Sequence, residues 1–543
     1  MVFARRSTTL LAAIIASCAM VLSLTACNSD NKTVVDGQTT VTSNSAGGVA
    51  VFTPSDGITL NQQTPLNKWA KLVPDLAKAL ADAGFKKGDI DHTTSDSLAK
   101  QSRAIQDFVV DHLSNNTTDD SGIAIAPDNM TLLVAPVVEA DASTRQYGDY
   151  VSQNLSTNDA TDGEATSDGE SSEDDSSKDD SSNTESDSTA SDEQAQAVDR
   201  LVSSLKLAKE SGMHVVLLGN SIEGYKPDAF VKFSDAQTIG KLQAEKMVSK
   251  LKLDKASKDN PKYIEVLLPY TAVDEKGNAN DSTFAQEAFR GIWQVLGSYY
   301  QKGVVESPSG TLDGKSTEND WQAVAYDAAK EGSTAKVLDK RLAKTDGQST
   351  LTRIDGIITM NDYIASEVVK ELDDLGYTGS AADINPQITI SGIVGNITGK
   401  KDLSRDAVPD PIKSPENDNA NDSSSSDDDA DEDTSASDKD RDSQWPLVTG
   451  YGAYVSNIPS IVNGKQWMTG MEDRQTIATD IAQACAKLNK DEALNSMPSI
   501  RNSEVGGVKK IPTISEPLLA VSASNLKSAL IDPGYISLAD AGL

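Results

Sequence analysis

Residues 197–218 read AVDRLVSSLKLAKESGMHVVLL. Ala197 to Ser211 is a helical pattern, Gly212 ends it, and His214 to Leu218 is an apolar run of strand length. A helix that hands over to a buried strand is half of a βαβ unit. The other half lies upstream. Met130 to Val138, MTLLVAPVV, is a continuous apolar strand of the kind buried on both faces of a parallel sheet. Working outward, the same alternation recurs. Gly48 to Phe52 reads as a short buried strand. Trp69 to Gly84 is an amphipathic helix, with Leu72, Leu76, Leu80 and Phe85 at helical spacing, and Ser97 to His112 is a second helix. Further on, strands are predicted at Lys262 to Leu268, Val304 to Val305, Gly356 to Thr359 and Trp445 to Thr449. Helices are predicted at Ser282 to Tyr299, Trp321 to Leu342, Tyr363 to Leu375 and Arg474 to Leu488. Repeated βα units imply right-handed crossovers. The fold class is α/β: two doubly wound parallel-sheet lobes joined by a hinge, with ligands expected at the carboxyl ends of the strands.

The N-terminus carries an address. Ala4-Arg5-Arg6 precedes an apolar run from Thr9 to Leu24, broken only by Ser17 and Ser23, and Leu24-Thr25-Ala26-Cys27 follows. The pattern is that of an export signal ending in a lipobox-like stretch, with Cys27 as the acylated residue. The run is shorter than the ~20 residues of a spanning helix. Residues 1–26 are therefore expected to be a lipoprotein signal peptide and 27–46 a flexible tether. The location is extracytoplasmic, at the cell surface or in the periplasm, with the membrane reached through lipid. With Cys18 removed and Cys27 acylated, only Cys485 is left, so no intrachain disulfide is expected.

The formal net charge is −33. Residues 157–193 hold 14 acidic residues and one Lys, net −13, and residues 416–442 hold 12 acidic residues with Lys439 and Arg441, net −10. These two segments thus account for −23 and leave −10 for the rest. Both are rich in Ser, Asp, Glu and Asn without apolar periodicity and read as disordered, solvated inserts. Such acidity disfavours nucleic acid as a partner. His92, His112 and His214 have no ligand-spaced partners, so no metal and no cofactor is expected. No Ser/His/Asp arrangement, GxSxG or phosphate loop points to an enzyme.

The order of segments resembles the type I periplasmic binding proteins of sugar ABC importers, especially the xylose and multiple-monosaccharide receptors. Several stretches carry the resemblance: Lys68-Trp69 with Ala83-Gly84-Phe85, Phe233-Ser234-Asp235 with Gly240-Lys241-Leu242-Gln243-Ala244, and Met360-Asn361-Asp362. Thr449-Gly450-Tyr451-Gly452-Ala453, Ile458 to Gln466 and the tail Pro517-Leu518-Leu519, Asn525 and Gly534-Tyr535 continue it. The resemblance implies lobe 1 over 47–230 around insert 157–193, and lobe 2 over 231–470 around insert 416–442. It implies a return to lobe 1 over 471–510 and a C-terminal segment, 511–543, packing on lobe 2 and the hinge. It implies a monomer that closes on a small polar solute, a sugar, and presents it to an ABC permease.

Carried over by position, the implied ligand-binding residues are Lys68, Trp69, Asn220, Thr283, Phe284, Trp321, Asn361, Tyr451 and Glu472. Gly219, Gly452 and Met471 stand beside them. Each sugar hydroxyl donates and accepts, which suits amide and charged planar groups. Asn361 keeps the family's residue type. Elsewhere this chain departs from the pattern. The family's Asp-Arg pair falls on Gly219-Asn220, its second-lobe Asp on Gly452 and its hinge Lys on Glu472. An alternative register places Ser391 to Gly395 on the Gly452 stretch, also without the Asp. The departures keep a second reading open, a degenerate binding domain that serves as sensor or surface protein.

Overall fold

The computed structural model describes residues 46–55, 65–115, 125–138, 146–150, 153–156, 185–273, 280–328, 330–343, 351–382 and 443–543, together with two strands nearer the N-terminus. Those strands, Lys32–Val35 and Gln38–Val41, pair antiparallel as a small unit of their own. They fall inside the stretch expected to be a flexible tether. The β-branched Thr-Val-Val and Thr-Thr-Val runs on either side of Asp36-Gly37 are a hairpin sequence. Residues 1–26, expected to be a signal peptide, residues 157–184 and the whole of 416–442 lie outside the described residues. The Glu185–Glu210 helix begins inside the segment expected to be disordered, so residues 185–193 are helical.

Among the other described residues two larger sheets form, beside three two-stranded ones. The larger has seven strands, in the order Ile500–Val505, Val508–Ile514, Ala229–Val231, His214–Leu218, Met130–Val134, Gly48–Pro54 and Ile90–Ser95. All neighbours run parallel except the C-terminal hairpin at one edge. The smaller has four parallel strands, Val305–Glu306, Lys262–Val266, Gly356–Ile358 and Leu447–Thr449. Successive residues of the apolar strands serve opposite faces. Val49, Val51, Val216 and Leu218 pack with Leu72, Leu76 and Leu80 of the Trp69–Asp82 helix. Ala50, Phe52, Val215 and Leu217 pack with Ile105, Val109, Leu201 and Leu205 on the other side. That two-sided burial is why these strands read as continuous rather than alternating apolar runs.

In the second lobe the Ala236–Leu251 and Thr283–Gln301 helices cover one face and meet through glycine. A Cβ on Gly240 would lie 2.2 Å from the carbonyl oxygen of Ala288, and one on Gly291 would lie 2.0 Å from that of Gln237. The stretch from Trp321 to Leu342, expected as one helix, is three elements. A single turn at Trp321–Val324 gives way to Ala325–Tyr326, which pairs with Leu268–Pro269, and a helix runs over Ser333–Arg341. Gly332, at φ 70°, interrupts the helical path.

The chain passes between the two sheets at 232–235, 472–473 and 515–518, and Met468–Met471 pairs antiparallel with Leu519–Ser522 beside these crossings. Among the described residues no helix is long and apolar enough to cross a membrane.

Candidate functional site

The site lies where strand ends of the two sheets face each other. From the first lobe comes the start of the Trp69–Asp82 helix. Lys68, its extended N-cap residue, makes no side-chain cap. Asp149 does that work from a distant stretch of chain. Its carboxylate accepts the Trp69 N–H at 3.1 Å and the Lys68 ammonium at 2.9 Å. A negative charge at this end suits the exposed N–H groups and the helix dipole. Trp69 is 3% exposed and sits in the core, edge-on to Tyr150 at 5.0 Å and to Phe233 at 5.7 Å. Its ring faces are thus taken up by packing. Asn220 spends its amide inside the first lobe: Oδ1 accepts from Gln153 N at 2.9 Å and Nδ2 donates to the Pro136 carbonyl at 2.9 Å.

From the second lobe comes Asn361, the N-cap of the Asp362–Leu375 helix. It is completely buried, and its Oδ1 accepts from Ile364 N at 2.9 Å. Its Nδ2 donates to Gln146 Oε1 at 3.1 Å. Tyr454 donates its hydroxyl proton to the Gln146 carbonyl at 2.7 Å. Neighbouring Asp362 accepts from Tyr454 N, Gln466 Nε2 and Thr469 Oγ1. Burial nevertheless lifts its carboxyl to about 6. Phe284 lies 4.7 Å, centroid to centroid, from Tyr147. Thr283 is exposed and bonds Asp281, while Trp321 stands edge-on to Tyr270 at 5.1 Å.

Tyr451 and Glu472 meet at the hinge. Glu472, 1% exposed, accepts from Ser234 N at 2.7 Å, from the Ser234 hydroxyl, and from the Tyr451 hydroxyl at 3.4 Å. Ser234 belongs to one crossing between the lobes and Glu472 to another, so this carboxyl ties two crossings together. Burial raises it from 4.5 to about 7, against the pull of its Ser234 and Tyr451 hydrogen bonds. Burial, reinforced by Glu472, drives the Tyr451 hydroxyl well above the usual phenol range. Met471 beside it is fully buried. Gly219 and Gly452 hold φ of 71° and 113°. The replaced charges therefore go with left-handed backbone that a side chain would strain.

The structure brings Lys68, Asn361, Tyr451 and Phe284 around one short segment, Gln146 to Tyr150. Sequence reasoning assigned that segment no role. Its one visible mark is the pair Tyr147 and Tyr150 bracketing Gly-Asp just before the acidic run. Ser391 to Gly395 lies outside the described residues.

No protein-family model matches this chain, and no curated protein matches its sequence. Among solved structures, the chain is similar to an ABC transporter solute-binding protein from Clostridium phytofermentans with bound β-D-glucose. The identity is 17% and the TM-score 0.43, over 91% of this chain and 99% of that one. A carbohydrate transporter solute-binding protein from Chloroflexus aurantiacus, in complex with D-glucose, is similar at 18% identity and a TM-score of 0.43, over 92% and 98%. A sugar ABC transporter protein from Actinomyces odontolyticus is similar at 10% identity and a TM-score of 0.44, over 89% and 97%. The architecture itself is α/β, with two parallel-sheet lobes joined, among the described residues, by crossings at 232–235, 472–473 and 515–518.

Proposed function

We propose that the protein is an extracytoplasmic solute-binding protein, not an enzyme. It is held to the membrane by lipid on Cys27, captures a small polar solute by hinge closure, and delivers it to an ABC permease. The solute class is sugar. One observation carries this reading: polar side chains from both lobes, Lys68 and Asn361 foremost, converge on the space between the sheets, beside the aromatic rings of Phe284 and Tyr451. Amides and charged groups near rings are what a polyol needs, since each hydroxyl seeks both a donor and an acceptor. Hinge closure between two lobes is the matching motion.

The test is calorimetric titration of the full chain with D-glucose, D-xylose and D-ribose, preceded by melting scans with each. Stabilisation of RT ln(1 + [L]/Kd) gives a solute at 100 Kd about 2.7 kcal/mol. No shift with any sugar, amino acid or nucleoside would sink the reading. For the anchor, Cys27→Ser should release the chain from membranes or leave it unprocessed. Processing at the same bond with retention on the membrane would count against lipidation.

The second reading, a binding domain that has lost its solute, is favoured by a separate observation. Lys68, Asn220, Asn361 and Tyr451 all pair with groups of the chain itself.

A further inference from the structure

The segment that fills the cleft is built for it. Tyr147 and Tyr150 lie three residues apart, yet they belong to the cores of different lobes. Tyr147 packs with Phe284 and Tyr451 in the second lobe, and Tyr150 stacks on Phe233 in the first at 4.7 Å. Gly148 between them holds φ 99°, and a Cβ there would lie 2.6 Å from the Asn67 carbonyl oxygen. That carbonyl accepts the Asp149 N–H at 2.8 Å. The polar contacts match as closely. Gln146 takes the Asn361 amide proton and the Tyr454 hydroxyl, and Asp149 takes Lys68.

We propose that residues 146–150 are an intramolecular occupant of the cleft. They hold the lobes together without solute, and they bar solute until the Gln146–Tyr147 end withdraws. The second half of this proposal rests on the solute-binding reading; the first half does not.

The direction of withdrawal follows from the anchors. Just downstream, Asn154–Leu155 pairs parallel with Ser221–Ile222, and Asn220 holds Gln153 N. Leu155 is buried in the first-lobe core. The segment is thus tied to the first lobe and merely docked on the second. Displacement is also favoured from within. Among the described residues, the buried Asn67 Nδ2 has no hydrogen-bond partner. The occupied cleft therefore leaves a donor unpaired that a solute hydroxyl can satisfy.

The experiment is amide hydrogen exchange on the full chain without solute, followed by titration with D-glucose, D-xylose and D-ribose. Wild type is compared with Tyr147→Ala, with Gln146→Ala as the gentler variant, and with Tyr147→Phe, which keeps the ring. In wild type the Trp69 amide, held by the Asp149 carboxylate, and the Asp149 amide, held by the Asn67 carbonyl, should exchange slowly. In Tyr147→Ala and Gln146→Ala they should exchange at least 10-fold faster, with the Arg474–Leu488 helix unchanged. A sugar should bind Tyr147→Ala at least 10-fold tighter than wild type, and Tyr147→Phe like wild type. Fast exchange of Trp69 and Asp149 in wild type overturns the proposal, as does equal sugar affinity in wild type and both alanine variants. Loosened exchange with no sugar binding to any variant supports the occupant and overturns the sugar reading.

Discussion

Asn361 serves two masters. Its Oδ1 caps a helix and its Nδ2 reaches the segment in the cleft. From sequence it was expected to read solute. The cap adds a structural role. Asn361→Ala should cost about 1 kcal/mol of stability, within the ~0.5–2 kcal/mol span of lost N-caps. Asn361→Ser, which restores an oxygen at the cap, should recover most of it. Denaturant midpoints of the three proteins decide the matter, and equal midpoints would show that the cap is idle.

Glu472 makes the second residue-scale prediction. Its carboxyl titrates near 4.5 when unfolded and at about 7 in the fold, so the folded state holds the proton longer. Its contribution is complete below the unfolded value and is lost as pH climbs from 4.5 to about 7. At 1.36 kcal/mol per pH unit, the loss is on the order of 3 kcal/mol. Glu472→Gln keeps an acceptor for Ser234 and should flatten this part of the stability–pH curve. Asp362, raised from 3.8 to about 6, would still contribute its own fall at lower pH. A variant whose curve stays parallel to wild type from about pH 4.5 to 7 would contradict the assignment. Sequence comparison marked Glu472 as a reversal of the family's charge. It could not show that the carboxyl faces Ser234 from another crossing, because that pairing spans the whole second lobe.

Among elements, helices and buried strands were legible. Arg474–Leu488 and His214–Leu218 have the bounds read from sequence. Periodicity failed at Trp321 to Leu342, where a two-residue strand finds a partner in Leu268–Pro269 and tertiary pairing overrides local pattern. It failed also at Gln146 to Tyr150, a segment too short and irregular to carry a period. Gly240 was noticed as part of a family-like motif, and the structure supplies its reason in the crossing with the Thr283–Gln301 helix. Gly291, on the facing helix, carried no such mark. Gly291→Ala places a methyl 2.0 Å from a main-chain oxygen, so the two helices must part. The expected cost is about 1–3 kcal/mol, offset in small part by alanine's better helix propensity. Thermal unfolding of the full chain measures it. An unchanged or raised melting temperature would mean that the helices separate freely.

At the scale of the whole molecule, the two sheets leave the acidic tracts little to do for stability. The Glu185–Glu210 helix packs through Val198, Leu201 and Leu205, all beyond the tract's most acidic part. Deleting 157–184 together with 416–442 should therefore move the melting temperature by no more than a degree or two, and limited proteolysis of the intact chain should cut there first. A fall of many degrees would mean that these tracts pack. The boundary matters: extending the first deletion to residue 193 would shorten a helix and should cost more.

The sheet order also governs how the molecule comes into being. Val508–Ile514 lies between Ala229–Val231 and Ile500–Val505, so the first sheet cannot close its edge until residue 514 has been made, nearly 300 residues after Ala229–Val231. Such distant pairing makes for slow folding. A nascent or newly unwound chain must wait with an apolar, hydrogen-bond-hungry edge open to its neighbours. The net charge of −33 is present throughout that wait. Mutual repulsion between unfinished chains gives each one time to find its own last strand before it finds another's.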